Sequence, residues 1–188
     1  CTDPWGRVWF GSMDDSEGSA SGKFYVFDRG EIRAAGPSGI AITNGPAVNP
    51  AGDRIYFTDT TAQKIMVAEL TREGAGEARL FADTGALFPD AFPDGPVVDA
   101  EDHVWTGLYV GSSVARFSPS GELVATIAMP ARDITKMAFG GPDFSTGYVT
   151  TATKNLEPGD MEKYPYAGGL LAFDAPVKGF AQPLVKLS

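Results

Sequence analysis

Four stretches of this chain repeat one pattern: a turn, a β-branched or small residue, an aromatic and another small residue. They are Gly6-Arg7-Val8-Trp9-Phe10-Gly11, Asp53-Arg54-Ile55-Tyr56-Phe57-Thr58, Asp102-His103-Val104-Trp105-Thr106-Gly107 and Ser145-Thr146-Gly147-Tyr148-Val149-Thr150. Their aromatics, Trp9, Tyr56, Trp105 and Tyr148, lie 47, 49 and 43 residues apart. A period of this size means one supersecondary unit stacked on copies of itself, because a single unit cannot bury its own apolar face.

Each unit continues with a second β-prone run, at residues 22–27, 64–68, 113–117 and 168–173. A third is expected at 31–35, 78–81, 123–127 and 182–186, and inner strands at 40–42, 97–99 and 135–139. The unit is then four-stranded. The 23 glycines and 14 prolines supply turns, and no long run keeps a 3.6-residue period. Four-stranded units recurring every 40 residues or so are the signature of a β-propeller. A β-sandwich is the plainer alternative, and four matched units weigh against it. The expectation is therefore an all-β fold in which residues 1–188 form one domain, the C-terminal portion of a propeller. No inner strand precedes Asp3-Pro4-Trp5-Gly6, so the first unit is expected to start in mid-blade, with the N-terminal blades missing.

Composition narrows the function. With 24 acidic and 15 basic residues the net charge is -9, which argues against nucleic acid and anionic membrane as partners. No apolar stretch approaches the roughly 20 residues that span a bilayer. The single cysteine, Cys1, leaves no internal disulfide framework and no cysteine-rich zinc site. A cytoplasmic location is expected, and a signal peptide upstream of Cys1 would be equally compatible with the sequence. His103 is the only histidine, and no Gly-x-Ser-x-Gly elbow accompanies it, so it reads as structural.

The repeat also singles out polar residues. Asn44 lies twelve residues before Tyr56 and Asp94 eleven before Trp105. Equivalent positions in two units would face a shared centre and offer a carbonyl and a carboxylate oxygen, hard donors suited to Ca²⁺, Mg²⁺, Mn²⁺ or Zn²⁺. Taken singly, Asn44-Gly45 and Pro93-Asp94-Gly95 are ordinary turn signals. Thr135, thirteen before Tyr148, holds the corresponding place in the fourth unit, with a core or turn role as its plainer reading. The aromatics Trp5, Trp9, Phe10, Tyr56, Phe57, Trp105 and Tyr148 are expected to pack between units. Residues 155–166 read as a long polar insertion, either a lid on the pocket or a surface loop.

At these motifs the chain resembles the gluconolactonase family, also called the senescence marker protein or regucalcin family. The likeness rests on residues 3–13, on Ile42-Thr43-Asn44-Gly45-Pro46 with Ile55-Tyr56-Phe57-Thr58-Asp59, on Pro93-Asp94-Gly95 with Val98-Asp99-Ala100-Glu101 and Val104-Trp105, and on residues 138–143 with 148–151. It implies a six-bladed propeller, of which this chain covers about the last four blades. It also implies hydrolysis of a sugar lactone, such as gluconolactone or xylonolactone, with one divalent cation held by a glutamate, an asparagine and an aspartate. Asn44 and Asp94 fall on that asparagine and aspartate; the glutamate, and a substrate-binding asparagine and arginine, would lie upstream of Cys1. The resemblance gives Asp94 a catalytic role as well, taking a proton from the attacking water. It places a substrate-contacting acid in the loop Asp14-Asp15-Ser16-Glu17, with Glu17 the candidate and a solvated loop the plainer reading. Hydrolysis of organophosphates or other esters, and a non-enzymatic calcium-binding propeller, are the alternatives.

Overall fold

Period-2 alternation decides where the sheets lie. In the computed structural model, which describes residues 1–187, the second strand of the first unit buries Gly22, Phe24 and Val26 and turns Lys23 outward. The first sheet is an antiparallel meander of β1 (Val8–Ser12), β2 (Gly22–Asp28) and β3 (Glu31–Ile40). The second contains β4 (Thr43–Val48), β5 (Arg54–Asp59), β6 (Lys64–Glu69) and β7 (Arg79–Asp83), followed by the short helix α1 (Thr84–Leu87). In the third, the two-residue strands β8 (Phe92–Pro93) and β9 (Val97–Val98) both pair with β10 (Val104–Tyr109), which continues to β11 (Ser113–Phe117) and β12 (Leu123–Ala128). The fourth holds β13 (Asp133–Gly140), β14 (Thr146–Ala152), the helical turn α2 (Asp160–Lys163) and β15 (Leu170–Asp174). The chain is thus all-β, and no described helix is long and apolar enough to cross a membrane.

Successive sheets pack face to face. Trp9, Phe24 and Val26 of the first sheet meet Ile55 and Phe57 of the second. Tyr56, on the opposite face of β5, packs with Val98, Val104 and Leu108 of the third sheet. Trp105 in turn packs with Ile134, Met137 and Val149 of the fourth. The repeated aromatic therefore points forward, into the next sheet, each time. Tyr148 holds the same place in the fourth sheet but is 38% exposed, so it does not fill a core as expected. In the described chain nothing packs on the forward face of that sheet.

A buried carboxylate fixes two of the turns that lead into these aromatics. Asp3 is fully buried; its Oδ1 accepts the backbone N–H groups of Trp5 and Arg7, and its Oδ2 accepts the Trp9 indole N–H at 2.8 Å and Arg7 Nε at 2.6 Å. Asp99 repeats the device: Oδ1 accepts from Glu101 and His103, and Oδ2 from the Trp105 indole and from Arg116, both at 2.8 Å. His103 belongs to this turn, as its structural reading requires. In the second sheet Asn49 takes the place, accepting from the backbone of Asp53 and Arg54 and donating to the Asp53 carboxylate. A tyrosine offers no indole N–H, and an amide suffices there.

Two expected strands are corrected. The inner strand placed at 40–42 lies instead at Thr43–Val48, because Asn44-Gly45-Pro46, a turn signature, is absorbed as a bulge within β4. The run 182–186 forms no strand: β13, β14 and β15 take the inner, first and second places of the fourth sheet, the outer place has no described strand, and the segment reaches back so that Lys186 N–H donates to Gly6 O at 2.9 Å.

Candidate functional site

The inner strand of the third sheet is broken by Asp94, Gly95 and Pro96, and this break builds the site. Asp94 N–H donates to Gly107 O at 2.9 Å and Thr106 Oγ1 donates to Asp94 O at 2.9 Å, so the peptide is tied to β10. Gly95 N–H donates to Thr135 O at 3.1 Å, tying the next peptide to β13 of the fourth sheet. Lys136 lies across Gly95, where a Cβ would collide with its side chain, and its ammonium donates to Pro96 O. On the other flank Gly45, at φ +87°, lets β4 approach Pro96; a Cβ there would lie 2.8 Å from Pro96 Cγ. Two glycines thus bring three sheets together around Asp94.

Asn44 and Asp94 face one cavity of about 290 Å³. The Asn44 amide is oriented by a chain of donors. Thr60 Oγ1 donates to Pro93 O at 2.7 Å, so it must accept from Asn44 Nδ2 at 2.9 Å, which leaves Asn44 Oδ1 as the atom free for a ligand. Asp94 Oδ1 accepts the Gly95 N–H at 2.7 Å. Burial pushes the Asp94 carboxyl up to about 6; the Gly95 N–H and the Lys136 charge oppose this but do not cancel it. Lys136 is exposed as a whole, yet its ammonium is folded inward against the Pro96 carbonyl, and burial lowers it to about 8 against the pull of Asp94.

Glu17 and Thr135 line the same cavity, so all four polar residues singled out by the sequence converge on it. Thr135 Oγ1 also bonds β14, to Thr150 O at 3.0 Å. Glu17 comes from the β1–β2 loop, at φ +60°, in a turn held by Asp14, whose carbonyl accepts Glu17 N–H at 3.0 Å. Across the mouth its carboxylate meets Lys154 Nζ at 2.6 Å.

Sequence reasoning missed Met13, Thr60, Tyr109 and Ala152, which complete much of the lining. A signal for them was present. Each stands four residues after its unit's aromatic, at or one residue past the end of β1, β5, β10 or β14, so every sheet delivers the same offset to the cavity. Lys154, just before the insertion at 155–166, and Asn155, its first residue, carried no such periodic mark.

Asn44 and Asp94 fit a hard cation: one free amide oxygen and one half-buried carboxylate without a full complement of donors. Among the described residues no group of three His, Cys, Asp or Glu side chains comes together, so these two make up a partial donor set.

Residues 1–153 match the family described as SMP-30/Gluconolactonase/LRE-like region. Among curated relatives, a 6-deoxy-6-sulfogluconolactonase of Pseudomonas putida is 31% identical over 97% of this chain and 62% of its own length. A pentonolactonase of Haloferax volcanii is 31% identical over 94% of this chain and again 62% of its own length. Among solved structures, the calcium-binding protein regucalcin from Agrobacterium tumefaciens superposes with a TM-score of 0.92 at 29% identity, covering 99% of this chain and 63% of that one. The chain therefore spans less than two thirds of the length of the relatives it matches.

Proposed function

Because the chain belongs to the SMP-30/gluconolactonase/LRE-like family, we propose that the complete protein is a six-bladed propeller that hydrolyses a sugar lactone to its aldonic acid with the help of one divalent cation. The four sheets are four of its blades, in one domain, and the cavity is the mouth of its central channel. The observation that carries this reading is the convergence of Asn44 Oδ1 and the Asp94 carboxylate on a cavity to which every sheet contributes. Asn44 and Asp94 would hold the cation, with Ca²⁺, Zn²⁺, Mg²⁺ and Mn²⁺ all compatible with oxygen donors. A bound cation there supplies polarisation of the lactone carbonyl and stabilisation of the negative charge that develops on it.

The chain's own residues do the rest. The hydrogen-bond chain through Thr60 fixes Asn44 before any ligand arrives. Asp94, a carboxylate beside the cation, would be suited to take a proton from an attacking water. Glu17, at the rim, is placed to accept from sugar hydroxyls.

The test is the rate of acid release from gluconolactone and xylonolactone by the complete protein. Chelation, or Asp94→Ala, is expected to lower it by 100-fold or more, on the order of 3 kcal/mol in the barrier. A full rate in either case refutes the mechanism. The regucalcin likeness favours a second reading, a calcium-binding propeller without turnover. Calcium binding in the absence of any lactone or phosphotriester hydrolysis would establish that reading instead.

A further inference from the structure

Outside the partial cation site, the best-built part of the cavity is its rim. Lys154 and Glu17 stand 137 residues apart, on the fourth and first sheets, and their side chains meet at 2.6 Å over the cavity that both line. Neither position is free to drift. The backbone of Lys154 is held by Tyr109, whose hydroxyl donates to Lys154 O at 3.1 Å. The next carbonyl, Asn155 O, accepts from Arg132 Nη2 at 3.0 Å. Arg132 is itself gripped by both oxygens of the buried Asp133, at 2.9 and 3.0 Å, and also reaches Asp160 at the start of α2. On the opposite side Glu17 is fixed at a positive φ that a non-glycine residue keeps only when its surroundings impose it; the Asp14 carbonyl and carboxylate close that turn.

The backbones are therefore fixed while the charged tips are exposed, at 58% for Lys154 and 39% for Glu17. An exposed pair of this kind is weakly held and exchanges partners readily. A donor ammonium and an acceptor carboxylate side by side match the vicinal hydroxyls of a sugar, each of which both donates and accepts.

We infer that Lys154 is a substrate-binding residue that acts with Glu17 as one recognition pair for the hydroxyls of the lactone remote from its carbonyl. This rests on the lactonase reading and goes beyond it by assigning Lys154 and by dividing the substrate between two ends of the cavity. The carbonyl end lies at Asn44 and Asp94. The polyol end lies at Glu17 and Lys154, with Tyr109 and Arg132 as positioning residues behind the latter.

The experiment compares a hydroxylated lactone, xylonolactone, with γ-butyrolactone, which has no hydroxyls, using the complete protein and its Lys154→Met, Glu17→Gln and double variants. For xylonolactone, KM is expected to rise about tenfold in each single variant with kcat within threefold of the parent. For γ-butyrolactone, KM should stay within twofold. The double variant should be no more than twofold worse than either single one, because the two act as a unit. Lys178→Met, which removes an equally exposed ammonium paired with Asp143, serves as the charge control and should change neither substrate's KM. Calorimetric titration with xylitol gives a readout without turnover: the parent should bind it about tenfold more tightly than Lys154→Met. Equal losses on both lactones, independent multiplicative losses in the double variant, or unchanged xylitol affinity would overturn the pair while leaving the lactonase reading intact. A parent protein that opens neither lactone and binds no xylitol would remove both.

Discussion

Replacing Asp94 by asparagine should make the cation-free protein more stable while abolishing its activity. In the folded chain burial lifts the Asp94 carboxyl from 3.8 to about 6, and the attraction of Lys136 and the Gly95 N–H bond are too weak to reverse this. Between those two pH values the folded protein holds a proton that the unfolded chain has released, so stability falls as the pH rises through the window. Above it the full penalty of the buried charge applies, and below it none. A shift of about two units corresponds to about 3 kcal/mol, and partial solvent access at the cavity reduces the expected penalty to about 2 kcal/mol. Asparagine keeps an oxygen for the Gly95 N–H and carries no charge, so it should recover most of that amount. For a chain of this size, 2 kcal/mol is a Tm increase of about 4–8 °C. Thermal melts in chelator should show that increase at pH 7.5 and almost no difference between variant and parent at pH 3, below both values. Equal melting temperatures at pH 7.5, or a less stable variant, would refute the claim that burial dominates at Asp94.

Two further changes test how the site and the turns are held. Gly45→Ala places a Cβ against Pro96 at a positive φ, and should cost about 2 kcal/mol and weaken Mn²⁺ binding, measured by electron paramagnetic resonance, about tenfold; unchanged affinity would show that Asn44 does not depend on that close approach. Asp99→Ala leaves the Arg116 guanidinium, the Trp105 indole and two backbone N–H groups without their acceptor, and should cost about 4 kcal/mol. That corresponds to a fall in Tm of about 8–16 °C, and a loss below about 3 °C would contradict the assigned role.

Much of this arrangement was legible from the repeat, because stacking identical units forces identical positions to identical places. Trp9, Tyr56 and Trp105 could be matched by eye, and each does point into the next sheet. The same logic brought Asn44, Asp94 and Thr135 to one cavity. It failed where a local signal carried two meanings. Asn44-Gly45-Pro46 reads as a turn, and only tertiary packing against Pro96 shows that it lies inside a strand. The run 182–186 has strand composition, yet its backbone bonds back to the first unit, where Lys186 N–H donates to Gly6 O, and forms no strand beside β15. Lys154 was out of reach for another reason: its partner Glu17 lies 137 residues away, and no periodicity relates two loops on different sheets.

The three apolar clusters have a consequence of their own. Each is made chiefly by two neighbouring sheets, and no described apolar cluster is shared by all four. Cohesion is then a chain of pairwise couplings, like a row of coins held face to face, and loss of one sheet removes only the contacts on its own two sides. The second and third sheets are gripped from both directions, and they carry Asn44 and Asp94. Loosening the first or the fourth sheet would therefore leave Asn44 and Asp94 held to one another through the cluster that the second and third sheets share.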